Sequence, residues 1–216
     1  MEVTAEHSTL EMTTRWGESA RFTYLKHSQG SDKLAVVFPG LTYKLDAPLM
    51  WYATKAAFAA GCDVLGIEYG FQANRSSIEP RDISDVADEV AVSLEQFFHV
   101  TPYQQRVFIA KSLGTTISDL VLQQLTLPVR NHVYLTPLPQ TIPFMQEAEN
   151  ILVVVGDQDE LFDSSDIAQI SNRTNVRLHV IPQANHLLEV DEDYNLSLKI
   201  LRQVTTLCGD FCISLR

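Results

Sequence analysis

The chain has 216 residues, of which 45% are apolar and 20% charged, and it carries a formal net charge of −11. That size and composition suit one globular domain, residues 1–216, with a sizeable core, and no run of about 18 apolar residues exists to form a membrane-spanning helix. A field of this sign repels phosphate backbones and anionic lipid surfaces, which argues against nucleic-acid and membrane partners.

The opening stretch MEVTAEHSTLEMTTRW is polar and acidic and does not read as a signal peptide. With an odd cysteine count (Cys62, Cys208, Cys212), it points to a cytoplasmic, reducing setting. Cys208 and Cys212 lie four apart, but no second Cys or His pair completes a zinc site, so no metal is expected and the thiols read as structural.

Residues 9–27 read as two strands, LEMTTRW and ARFTYLKH, joined by a turn at Gly17-Glu18-Ser19, with His7 in a tail before them. LAVVFPG (34–40) is a continuous apolar run, as a parallel strand buried on both faces would be. Helical spacing over 46–60 ends at Gly61, a strand follows over 63–70, and 82–98 reads as an amphipathic helix with acids in its first turns. Val107, Phe108, Ile109 and Ala110 form another apolar strand, after which Gly114 opens the helix TTISDLVLQQL. Strands at 131–136, 151–156 and 176–182 and helices at 164–171 and 195–207 complete the chain. Strand and helix alternate from residue 34 onward, which implies an α/β fold: a mostly parallel central sheet, helices on both faces, and an N-terminal antiparallel hairpin.

Ligands of open parallel sheets sit beyond the carboxyl ends of the strands, so the reactive residues that follow each strand matter most. Ser112 follows the 107–110 strand and is flanked by the small residues Ala110 and Gly114, the pattern of a strained turn that exposes a nucleophile. Asp157 and Asp159 follow the 151–156 strand, and His186 follows 176–182. A serine hydroxyl needs a base to accept its proton, imidazole titrates near neutrality, and a carboxylate fixes the imidazole tautomer. Each residue also has a plainer reading. Ser112 could cap its helix, Asp159 could cap the helix near Ser164 or yield its place to Asp157, and His186 could be a surface-loop histidine. Of the other histidines, His27, His132 and His179 fall in strands and His99 ends a helix. Lys111 precedes the serine, but a neighbour on a tight turn points elsewhere, which argues against a Ser–Lys dyad. No P-loop and no G-x-G-x-x-G follows the first parallel strand, so no nucleotide cofactor is expected.

The chain resembles the α/β-hydrolase superfamily, in particular small, uncapped serine hydrolases of the esterase and dienelactone-hydrolase type. AKSLG stands where that family has G-x-S-x-G, with Ala110 in place of the first glycine. Gly156-Asp157-Gln158-Asp159 resembles its G-x-x-D loop, and Asn185-His186 its histidine loop. The resemblance implies a catalytic set of Ser112, Asp159 and His186. It also implies an oxyanion hole from the backbone N–H groups of Leu113 and Leu41, although Pro39-Gly40 stands where many members have His-Gly. Many members insert a cap domain after the sixth strand. The 14 residues of 137–150 are too few for one. Their segment PLPQTIPFM, with Leu138, Ile142, Phe144 and Met145, is expected to form a stiff wall of the site. Tyr43, Tyr69, Phe71, Leu138, Phe162 and Leu187, together with Leu41 and Leu161, are expected to line a pocket for a small acyl substrate. The implied activity is hydrolysis of a carboxylic ester or thioester through an acyl-enzyme. The alternatives are an amidase or peptidase on the same fold, a non-catalytic binding protein, or an enzyme whose open site a partner chain covers at residues 138–145.

Overall fold

The computed structural model describes residues 5–17, 19–146 and 148–215. Among these residues eight strands form one sheet: β1 (Ala5–Met12), β2 (Ala20–His27), β3 (Lys33–Phe38), β4 (Asp63–Gly66), β5 (Gln105–Lys111), β6 (Asn131–Leu135), β7 (Asn150–Gly156) and β8 (Val176–Ile181). Their spatial order is β1-β2-β4-β3-β5-β6-β7-β8. β1 and β2 pair antiparallel, β2 lies antiparallel to β4, and every pairing from β4 to β8 is parallel. The helices are α1 (Pro48–Ala59), the single turn α2 (Gly70–Ala73), α3 (Ile83–Val100), α4 (Leu113–Leu122), α5 (Ser164–Ile170) and α6 (Tyr194–Ile213).

The two-residue period of a strand divides the core in two. Leu34, Val36 and Phe38 of β3 and Phe108 and Ala110 of β5 face α3, α4 and α5, together with Val90, Ile117 and Ile170. Ala35, Val37, Val107 and Ile109 face the other way, onto α1 and α6, together with Met50, Ala53, Val204 and Phe211. Because both faces are covered, the central strands are apolar throughout, which makes them readable as unbroken runs.

Three expected elements move. The first strand is Ala5–Met12, not residues 10–16, so His7 lies in a strand rather than a tail. The chain leaves the sheet after Met12 because Arg15 is drawn to the start of α3. Its guanidinium pairs with Asp82 at 2.6 Å and with Asp85, and its amide donates to Glu89 Oε1 at 2.8 Å. Glu18, in the expected turn, lies outside the described residues, as do residues 1–4 of the opening stretch. β4 stops at Gly66, and α2 begins at Gly70, the last residue of the expected strand. α6 continues beyond residue 207 through Gly209, whose Cα lies against Ala56 of α1. The contact between these two long helices outweighs the roughly 1 kcal/mol propensity cost of an interior glycine. No helix among the described residues is long and apolar enough to cross a membrane.

Candidate active site

The strand-to-helix turn between β5 and α4 is built from close backbone contacts. Ser112 has φ 51° and ψ −122°, a conformation costing about 1–3 kcal/mol that persists only where the surroundings impose it. Its N–H donates to Leu135 O at 3.1 Å and its carbonyl accepts from the Thr115 hydroxyl at 2.6 Å. A Cβ at Gly114 would stand 2.4 Å from Pro39 O and 2.5 Å from Phe38 O, so only glycine lets α4 begin this close to the end of β3. Ser112 occupies the N-cap position of α4 but makes no side-chain cap hydrogen bond. Its Oγ lies 2.8 Å from His186 Nε2 instead, and capping does not account for it.

His186 Nδ1 lies 2.9 Å from each carboxylate oxygen of Asp159. A ring nitrogen between two carboxylate oxygens carries the proton, which leaves Nε2 as the acceptor facing the serine. The Asp159 side chain is fully buried and the His186 side chain is 20% exposed, so the line runs from the interior to an open hydroxyl. Asp159 Oδ1 also accepts from Leu161 N at 2.9 Å. Asp157, two residues earlier, does something else: its Oδ1 accepts from Gln183 N at 2.7 Å and holds the turn after β8. The cap of α5 is Asp163, which accepts from Ser165 N at 2.7 Å and Asp166 N at 3.2 Å.

The loop after β3 lies directly over the serine. A Cβ at Gly40 would be 3.5 Å from Ser112 Cβ. The amides of Leu41 and Leu113 have no acceptor among the described residues. Two side chains that the sequence does not single out for this role hold the loop from beneath: buried Gln72 donates through Nε2 to Gly40 O at 2.8 Å and Leu41 O at 3.2 Å, and Tyr69 Oη donates to Pro39 O at 3.1 Å. No sequence pattern marks such bonds, because their acceptors are backbone carbonyls.

The expected pocket residues divide. Tyr69, Phe71 and Phe162 are buried in the core and present no surface to a ligand. Ile142 and Met145 of the 137–150 segment are likewise buried, fixed by bonds from Arg173 Nη1 to Ile142 O at 2.8 Å and from Asn175 Nδ2 to Met145 O at 2.9 Å. Those two side chains belong to the core, whereas Leu138 and Phe144 of the same segment are only half-buried. Leu138 and Tyr43 are half-buried, whereas Leu41, Leu161 and Leu187 are exposed around the serine's end of the sheet. A cavity of about 510 Å³ opens beside the histidine loop, lined by Tyr43, Leu49, Leu187, Leu188, Tyr194 and Leu198 among others. The three cysteines are free and buried. Among the described residues no group of His, Cys, Asp or Glu side chains is arranged to hold a metal ion.

This is the α/β-hydrolase fold in its lidless form. A lidless α/β serine hydrolase from Xanthomonas campestris, XC6422, is similar over 93% of each chain, with a TM-score of 0.71 and 15% identity. Dienelactone hydrolase from Anabaena variabilis is similar over 98% of this chain and 99% of its own, with a TM-score of 0.76 and 17% identity. The Pyrococcus furiosus esterase Pf2001 is similar over 96% of this chain and 91% of its own, with a TM-score of 0.70 and 16% identity. No protein-family model matches the sequence, and no curated protein sequence is significantly similar to it.

Proposed function

We propose that the chain is a serine hydrolase acting on a carboxylic ester or thioester of a small substrate, with Ser112 as nucleophile, His186 as base and Asp159 as its orienting acid. One observation carries the reading: hydroxyl, imidazole and carboxylate stand in line at 2.8 and 2.9 Å on three loops beyond the carboxyl ends of β5, β7 and β8. Similar structures that include a lidless serine hydrolase and an esterase support the same class of chemistry.

In this mechanism His186 Nε2 takes the Ser112 proton as Oγ attacks the carbonyl carbon. Negative charge then gathers on the carbonyl oxygen, where the Leu113 and Leu41 amides donate to it. Such a donor typically accounts for about 10²–10³ in turnover. The leaving alcohol or thiol takes the proton from His186. Water, deprotonated by the same imidazole, then releases the acyl group and restores Ser112. The exposed side chains of Leu41, Leu161 and Leu187 around the serine suit an apolar acyl or alcohol group of modest size.

The test is turnover of p-nitrophenyl acetate and butyrate together with labelling by a fluorophosphonate probe. The wild-type chain should hydrolyse both esters and be labelled at residue 112. Ser112→Ala should lose both properties, and undiminished turnover in that variant overturns the assignment.

A further inference from the structure

Lys111 ends β5, immediately before Ser112, and its side chain is completely buried. A buried ammonium is costly unless hydrogen-bonded and electrically compensated. Here Nζ donates to Thr136 Oγ1 and to the backbone carbonyl of His186, each at 2.9 Å, and lies 4.8 Å from the centre of the Tyr43 ring. Neither acceptor is Ser112 Oγ, which faces His186 Nε2 instead, so Lys111 is not placed as the serine's base. Thr136 is itself held in an unusual conformation, φ 44° for a buried, β-branched residue, with its amide bonded to Val154 O at 2.8 Å. That backbone is held at the end of β6 with its hydroxyl on the lysine.

We propose that Lys111 is a positioning residue: its ammonium, anchored by Thr136, grips the main chain of His186 and sets the imidazole opposite Ser112. The inference rests on the roles given above to Ser112 and His186. The serine's turn and the histidine's loop come from strands that are not neighbours in the sheet, because β6 and β7 lie between β5 and β8. Lys111 ties them directly, across 75 positions of sequence. A bond from an ammonium to a carbonyl is roughly twice as strong as a neutral one, so the grip depends on the charge. The ionisable groups facing that charge are Asp159 from the loop after β7, Glu189 and His186 from the loop after β8, and Tyr43 from the loop after β3. Burial brings the lysine down to about 8, with the carboxylates of Asp159 and Glu189 pulling the other way. The grip should therefore slacken as the pH passes through that value.

The test is steady-state turnover of p-nitrophenyl butyrate by the full chain from about pH 6 to 10, for wild type and Lys111→Met, which keeps the length of the stem and loses the ammonium. In the variant kcat should fall about 10- to 100-fold while KM stays within about threefold, the pattern of misplaced machinery rather than lost binding. The wild-type profile should bend downward above pH about 8, and the variant should lack that bend. Lys111→Gln carries the same two expectations should the methionine variant not fold. A folded variant with kcat within about twofold of wild type, or with the wild-type alkaline bend intact, overturns the inference. A wild-type chain that is neither labelled by fluorophosphonate nor active on esters fails earlier, and removes the hydrolase reading and this inference together.

Discussion

Gly156 and Ala184 touch backbone to backbone: a Cβ at residue 156 would stand 1.9 Å from the Ala184 carbonyl oxygen. Gly156 closes β7 just before Asp157 and Asp159, and Ala184 precedes His186 by two residues. The close approach therefore fixes the separation of the carboxylate loop from the imidazole loop. Gly156→Ala must push them apart. Ester turnover should fall by about 100-fold or more, since a displacement near 1 Å suffices for that, and the melting temperature should drop with it. Steady-state kinetics and thermal unfolding of the variant check both.

Asp157 and Asp159 should separate cleanly under the same substitution. Asp159→Asn keeps the shape but cannot hold the Nδ1 proton of His186 in place, and kcat should fall by about 10³–10⁴. Asp157→Asn retains an oxygen to accept from Gln183 N and should stay within a few-fold of wild type. Parallel kinetics of the two variants decide the matter, and equal losses would contradict the division of roles.

Gln72→Leu removes the two bonds that hold the Gly40 and Leu41 carbonyls. The Leu41 amide should lose its aim at the developing oxyanion. We expect kcat to fall about 10-fold with little change in KM, less than the roughly 10²–10³ that outright loss of a donor brings. A loss confined to KM would place Gln72 in substrate binding instead.

Much of this arrangement can be read along the chain, for physical reasons that differ by element. β3, β5 and β7 announce themselves because both their faces are buried. The glycines at 114 and 156 are legible because no other residue tolerates the contacts they make. The first strand is misplaced because residues 10–16 alternate as a strand does, while the charges that pull Arg15 onto α3 lie about 70 residues away. Of the two acids, the resemblance to the G-x-x-D loop marks Asp159, whereas the Gln183 amide that engages Asp157 is reported by no local pattern. The pocket is the least legible part, since an aromatic side chain beyond a strand end can plug the core, as Tyr69, Phe71 and Phe162 do, as readily as it can face a ligand.

Asp119, on the core side of α4, sets a pH limit on stability. Burial pushes its carboxyl up to about 8, opposed by the bond it accepts from Tyr134 Oη, and its Oδ2 has no partner among the described residues. The folded chain thus keeps this proton when the unfolded chain, titrating near 4, has released it. The folded state binds more protons, so stability present below pH about 4 is progressively lost as the pH rises toward 8. Asp119→Asn should be more stable than wild type at pH 8, by an amount on the order of a few kcal/mol, with the gain shrinking toward pH 4. Urea denaturation at the two pH values measures it, and a gain independent of pH would rule out the carboxyl as its source.

β8 is the outermost strand on its side of the sheet and only its last residue is fully buried, yet the imidazole hangs from the loop that follows it. Edges of a sheet fray at lower free energy than its centre. Catalytic competence should therefore be the first property lost on warming. Inactivation followed by ester turnover is expected several degrees below the far-ultraviolet circular dichroism transition, and cooling from that interval should restore activity without refolding of the core. A chain built this way carries its own thermal cut-out at the rim, while the strands beneath stay intact.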